Sequence, residues 1–191
     1  MIGLIAWMLV IQEIGILFIR IFKKLPVIAF RLDFNQIIVI LKDYETIWNF
    51  HTAPIAEKGQ RTEVYDRIAE INHEVQSLSK VFLGAKVIKL RHTGENIPMG
   101  TTALTASALP KQILKVEADG EGVLVSHLKN GNRQYLMIVI RDIYQPQRVS
   151  VETAEGVMRI MPDGRELTAK TYSPSLYVEA GDMLLFGWKQ E

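Results

Sequence analysis

Residues 51–92 read HTAPIAEKGQRTEVYDRIAEINHEVQSLSKVFLGAKVIKLRH. Within them Val64, Ile68, Ile71, Val75 and Leu78 recur at alternating spacings of four and three, a single apolar stripe at helical period. Arg67, Glu70, Glu74 and Gln76 fall mainly on the opposite side. Thr62 stands where an N-cap is expected, with Glu63 and Asp66 in the first turn, where the helix dipole favours negative charge. Gly84 is a plausible stop. Residues 86–90 then alternate as a short strand. The stripe is strong, yet this chain offers little in plain view to bury it against, so the region reads as the end of something larger.

Beyond the helix the period changes to two. Residues 113–117 form the first strand of the series, followed by a turn at Asp119-Gly120. Residues 122–128 follow, then a turn at Asn130-Gly131-Asn132; Asn-Gly between two strand-like runs is a strong hairpin signal. Residues 134–141, QYLMIVIR, are nearly continuously apolar and should be the central strand. Further strands are expected at 148–152, 157–161, 166–170, 175–178 and 183–186, with turns at Asp163-Gly164 and Ala180-Gly181-Asp182. Strands spaced by roughly 8–12 residues with glycine turns imply a sandwich or barrel.

Between the two patterns, residues 93–110 (TGENIPMGTTALTASALP) hold two glycines, two prolines and five hydroxyl residues without a lasting period. A domain boundary is expected there. The chain thus divides into an apolar segment at 1–48, a helix with a short strand at 49–92, the connector at 93–110 and a β domain at 111–191. The fold class is α+β: an N-terminal helical or irregular segment followed by an antiparallel all-β sandwich. Residues 1–19 are almost wholly apolar, broken by Gln12 and Glu13 and followed by Arg20, Lys23 and Lys24. Their length is close to the roughly 20 residues of a bilayer span, so a membrane anchor stays open beside a buried helix or a mis-assigned start. QIIVIL, at 36–41, can form a strand, but no partner follows it.

Composition excludes more than it selects. The 191 residues are 48% hydrophobic and 23% charged, which is ordinary for a globular chain. A net charge of +1 gives no electrostatic case for nucleic acid. With no cysteine, disulfides, thiolate metal sites and a cysteine nucleophile are out. No glycine-rich phosphate loop, His-Glu-x-x-His helix or nucleophile elbow is present. His51, His73, His92 and His127 fit no metal template. Glu63, Asp66, Glu70 and Glu74 suit a solvated helix face, and Asp119, Asp163 and Asp182 are explained by turn chemistry. Tyr135, Tyr144, Tyr172, Tyr177, Phe186 and Trp188 are expected in the core, with stacking on sugar rings as the alternative. Trp48 and Phe50 could belong to a loop at a barrel mouth. No catalytic, cofactor-binding or metal-ligating residue is assigned, and no cofactor is expected.

One resemblance adds to these readings. Ala53-Pro54-Ile55, Gly59-Gln60-Arg61-Thr62, Tyr65 and Ile71-Asn72-His73-Glu74-Val75 resemble the phrase that closes the last helix of a (β/α)8 barrel in bacterial β-galactosidase-like glycoside hydrolases. Tyr135-Leu136-Met137-Ile138-Val139, Met161-Pro162-Asp163-Gly164, Val178-Glu179-Ala180-Gly181-Asp182 and Phe186-Gly187-Trp188 are similar to the sandwich that follows it. The resemblance covers residues 50–188. It implies an accessory region whose partner is a catalytic barrel, in a periplasmic or extracellular setting. Such a barrel takes about 250 residues and carries its chemistry on loops after the strands. Residues 1–48 do not resemble those strands, so the chain alone is expected not to catalyse. A carbohydrate-binding module and a membrane-anchored sandwich remain the alternatives.

Overall fold

Period-two alternation from residue 113 onward becomes strands close to where the sequence puts them. The computed structural model describes residues 54–55, 59–142, 144–171 and 174–190, with backbone alone for 29–33, 36–40 and 171. Numbered in chain order, the strands are β1 (Ala29–Asp33), β2 (Gln36–Ile40), β3 (Lys86–His92), β4 (Ile113–Ala118), β5 (Val123–Asn130), β6 (Arg133–Ile140), β7 (Gln147–Thr153), β8 (Met158–Ile160), β9 (Glu166–Thr168), β10 (Ser175–Val178) and β11 (Met183–Lys189). Two helical pieces precede β3: α1 (Glu63–Ser77) and the single turn α2 (Ser79–Phe82).

β3-β5-β6-β11-β8-β9 form a six-stranded sheet and β10-β7-β4 a three-stranded one. Every named pair is antiparallel. The fold is therefore a helix followed by an antiparallel sandwich, as the sequence predicts. Val116, Val149, Val151 and Val178 of the small sheet meet Val125, Leu136, Ile138 and Phe186 of the large one in a shared core. β6 lies third in its sheet, and all of its residues from Tyr135 to Ile140 are buried. Both of its faces are covered, which is why its sequence does not alternate.

The second face is covered by the helix. Leu78 and Val81 pack against Leu124, Leu128, Tyr135, Met137, Val139, Ile160 and Leu185. The apolar stripe is buried at Ile71, in its middle, and at Leu78, its last member, while Val64, Ile68 and Val75 are half-buried. The sandwich thus supplies a cover for part of the stripe. Thr62 occupies the N-cap position in extended conformation, but its hydroxyl makes no cap bond; it donates instead to the Pro54 carbonyl (3.3 Å). Gly84, at φ +81°, follows the last turn as expected.

Two turns of the sandwich clasp the end of the helix. Asn130↔Arg133 closes the β5–β6 hairpin, leaving Gly131 and Asn132 as its loop. Gly131 has φ +59° and no non-glycine described residue has positive φ, which is the primed type II form. Asn130 is freed by this geometry. Its side-chain amide donates to the carbonyls of Lys80 (3.2 Å), Val81 (3.0 Å) and Leu83 (2.8 Å), the orphan acceptors at a helix C-terminus. Gly164, in the β8–β9 turn, approaches so closely that a Cβ there would stand 2.8 Å from the Ser77 carbonyl oxygen.

Residues 93–110, where the sequence places a boundary, join two parts of one sheet: β3 on one side of the connector is hydrogen-bonded to β5 on the other. The connector itself is fixed. Thr93 exchanges bonds with Val123 through its N–H and its hydroxyl, both at 2.9 Å. His92 bridges to Ala103 in parallel, and Leu104 and Leu109 pack against the inter-sheet core. QIIVI does form a strand; its partner, β1, precedes it. The anchor expected in residues 1–19, and the loop expectation for Trp48 and Phe50, lie outside the described residues. Among the described residues no helix is long and apolar enough to cross a membrane.

Candidate functional site

The residues that the sequence singles out are kept apart by the strands that carry them. His73 is exposed on α1, His92 is buried at the end of β3, and His127 is half-buried on β5. His51 lies outside the described residues. Among the described residues no group of three His, Asp or Glu side chains could hold a metal ion. Burial, reinforced by the nearby Arg141 charge, lowers the His92 pKa to about 4. His127 is also shifted down, by burial first and by the Lys89 ammonium in addition. Its Nε2 lies 2.7 Å from Gln134 Oε1, and its ring stacks on Trp188 with centroids 5.9 Å apart. Trp188 is buried, and its indole N–H has no hydrogen-bond partner among the described residues.

The turn aspartates divide. Asp182 Oδ1 accepts the neighbouring Met183 N–H (2.6 Å), a local bond, whereas Asp119 Oδ1 reaches across to β7 and accepts the Arg148 N–H (2.8 Å). Asp163 accepts the Arg165 N–H (3.0 Å) and its Nε (2.5 Å), and these bonds hold its pKa below the usual carboxylate value. On the helix, Glu63 pairs with Arg67, Asp66 and Glu70 are exposed, and Glu74 faces inward and is buried. No two of these acids are brought to one cleft by the elements that carry them, as a hydrolytic pair would need.

The aromatic residues divide. Tyr135, Phe186 and Trp188 are core, as expected. Tyr135 also fills the space beside Gly187, where a Cβ would meet its ring at 3.0 Å. Tyr144 and Tyr177 correct the core expectation, being 81% and 77% exposed. Tyr177 is on β10, a strand at the rim of the small sheet, directly opposite Arg148 on β7, and the Arg148 guanidinium stands 5.9 Å from its ring centroid. Tyr172 lies outside the described residues.

One end of the sandwich is a polar knot. Arg141 donates to the Thr93 carbonyl (3.0 Å) and the Asn96 carbonyl (2.7 Å), and burial lowers its pKa. There Gly94 and Gly122 cross with no room for side chains: a Cβ on Gly122 would lie 2.3 Å from Thr93 O, and one on Gly94 2.5 Å from Glu121 O. Gln147 completes it, its amide oriented so that the nitrogen donates to Gly122 O and the oxygen accepts from Glu121 N, each at 2.9 Å. The chain itself supplies these partners, although the buried Arg141 Nε has none among the described residues.

The surface that sequence reasoning missed is the outer edge of β3. Val87 and Ile88 are 53% and 46% exposed there between Lys86 and Lys89, and Leu83, at the end of α2 just before the strand, is 65% exposed. The signal was present as KVIKLR, an apolar and basic run with no acid, but only the topology reveals that it borders a sheet. Ile88 is the extra residue of a bulge between Val87 and Lys89, as Leu114 is in β4, and bulges are common at sheet rims. No protein family, curated protein or solved structure matches this chain.

Proposed function

We propose that this chain is an accessory β-sandwich region of a glycoside hydrolase, non-catalytic by itself, whose helix α1 leans toward a catalytic barrel. One observation carries the reading. The helical segment is buried against the sandwich at Leu78, which caps α1, and at Val81 of α2, and is only half-buried at Val64 and Ile68, where the chain enters α1. Entry is pinned at Pro54, whose carbonyl accepts the Thr62 N–H (3.0 Å). A helix anchored at one end and partly uncovered at the other suits an element shared by two packing partners. The quoted phrase around Gly59 and Asn72 supplies the family, and the dispersed carboxylates accord with a part that lacks the chemistry.

The test is turnover of aryl glycosides by the full chain. No hydrolysis is expected. Turnover abolished by replacing one carboxylate would overturn the proposal. A carbohydrate-binding reading draws on Tyr177, whose exposed ring beside Arg148 is available for stacking on a sugar. Calorimetric titration with a panel of oligosaccharides separates the two: heats should be flat, and a saturable heat lost in Tyr177→Ala would favour the second reading.

A further inference from the structure

We infer that the outer edge of β3 is a docking edge for an extended segment of a partner protein, acidic and apolar in alternation. The inference stands apart from the glycosidase reading, because it rests on the edge alone. β3 has seven residues and ends the six-stranded sheet. Its last residue is covered, since the His92 N–H donates to Thr102 O (3.0 Å) and the Leu104 N–H to His92 O (2.7 Å). Over residues 86–90 no described strand pairs with its outer side. The opposite end of the same sheet, β9, is only three residues long, which is one way that proteins blunt an edge.

Charge selects the occupant. Lys86, Lys89 and Arg91 lie on this edge, Lys129 on its neighbouring strand and Lys80 on the helical turn α2 just before it, and residues 79–94 and 123–131 contain no aspartate or glutamate. None of the five makes an ion pair among the described residues. The molecule as a whole carries only +1, so the excess is local. Edge lysines and a bulge are devices against self-pairing. The lysines do so by setting like charges opposite each other, so a second copy of this chain is disfavoured here while an acidic strand is attracted. A nucleic acid would use the cations but leave Leu83, Val87 and Ile88 in water. An extended peptide satisfies all three features: backbone groups, apolar side chains and charge.

The probe is a fluorescent synthetic peptide of about ten residues alternating glutamate and valine, matched to strand length, titrated into the full chain and read by anisotropy. Saturable binding is expected. It should weaken about tenfold in the double variant Lys86→Glu, Lys89→Glu, and again as salt is raised from about 0.05 to about 0.5 M. A lysine-valine peptide should bind that variant in preference to the wild type. Both lysines are exposed, and an unchanged thermal melt verifies folding. Absence of saturable binding, or binding indifferent to the double variant, overturns the inference. So does displacement of the peptide by a single-stranded oligonucleotide of equal length at a lower concentration. A wild-type dimer in sedimentation that the double variant dissolves would overturn it in favour of a second copy.

Discussion

The two faces of the six-stranded sheet are closed by different means. One meets another sheet, and valines and isoleucines from five strands interlock with Phe186 and Trp188. The other meets a helix that touches it mainly through Leu78 and Val81 and is clasped at its end by Asn130 and the Gly164 turn. The first face is held mainly by area, with the Gln147 amide adding bonds at one end. The second depends on a small apolar patch together with a few directional bonds, so it should be the easier of the two to open locally.

Truncation of the core on each face tests that contrast. Ile138→Ala, at a fully buried site between the sheets, should cost about 2–5 kcal/mol and lower the stability of every amide in step. Leu78→Ala removes a similar side chain from the helix face. Native-state hydrogen exchange should then show protection lost in residues 63–82 while β5, β6 and β11 keep theirs. Equal loss throughout would show that both faces belong to one cooperative unit.

Acid provides the next largest effect. His92 has a folded pKa of about 4, below its unfolded value near 6.5, so the unfolded chain binds the proton more readily. The stabilisation is fully present above about pH 6.5 and is lost as pH falls toward 4, by up to about 3 kcal/mol. His127, shifted in the same direction, adds to it. Denaturant melts between pH 7 and 4 should show this slope, and His92→Gln should flatten it.

Smaller effects concern the clasp. Gly164→Ala sets a Cβ 2.8 Å from Ser77 O at a φ of +81°, and should cost about 1–3 kcal/mol, read by thermal melt. Asn130→Ala leaves three carbonyls at the helix end without their donor and should cost about 1 kcal/mol. Its signature is faster exchange at residues 78–85 with little change between the sheets.

How far the sequence revealed this architecture depended on the kind of signal. Strands announced themselves where one side of the chain is buried and the other wet, as in β7, or where Asp-Gly and Asn-Gly mark the turns. β6 was legible as central because both of its faces are apolar. The cover of the helix stripe was not legible. A continuous apolar run such as MLLFGWK states that both faces are covered, without stating what lies on the second. Asn130 read as a turn residue because its type favours turns; its amide reaches residues 47–50 positions back in the chain, and no local pattern encodes that. Tyr177 and Tyr135 look alike as sequence, and only the position of β10 at a rim separates them. The β3 edge was hidden for the same reason, since being at the border of a sheet is a property of the topology.

The knot at Thr93, Gly94 and Gly122 has a consequence for the integrity of the chain. Met99, a few residues further on, is fully exposed, whereas the backbone on both sides is fastened to the sandwich through Thr93, Asn96, Thr102 and Leu104. Severing the polypeptide at Met99 would leave a fragment carrying α1 and β3 still laddered to β5 and still clasped by Asn130. The two pieces would behave as a naturally split protein, separable only under denaturing conditions, and could be produced apart and allowed to reassemble.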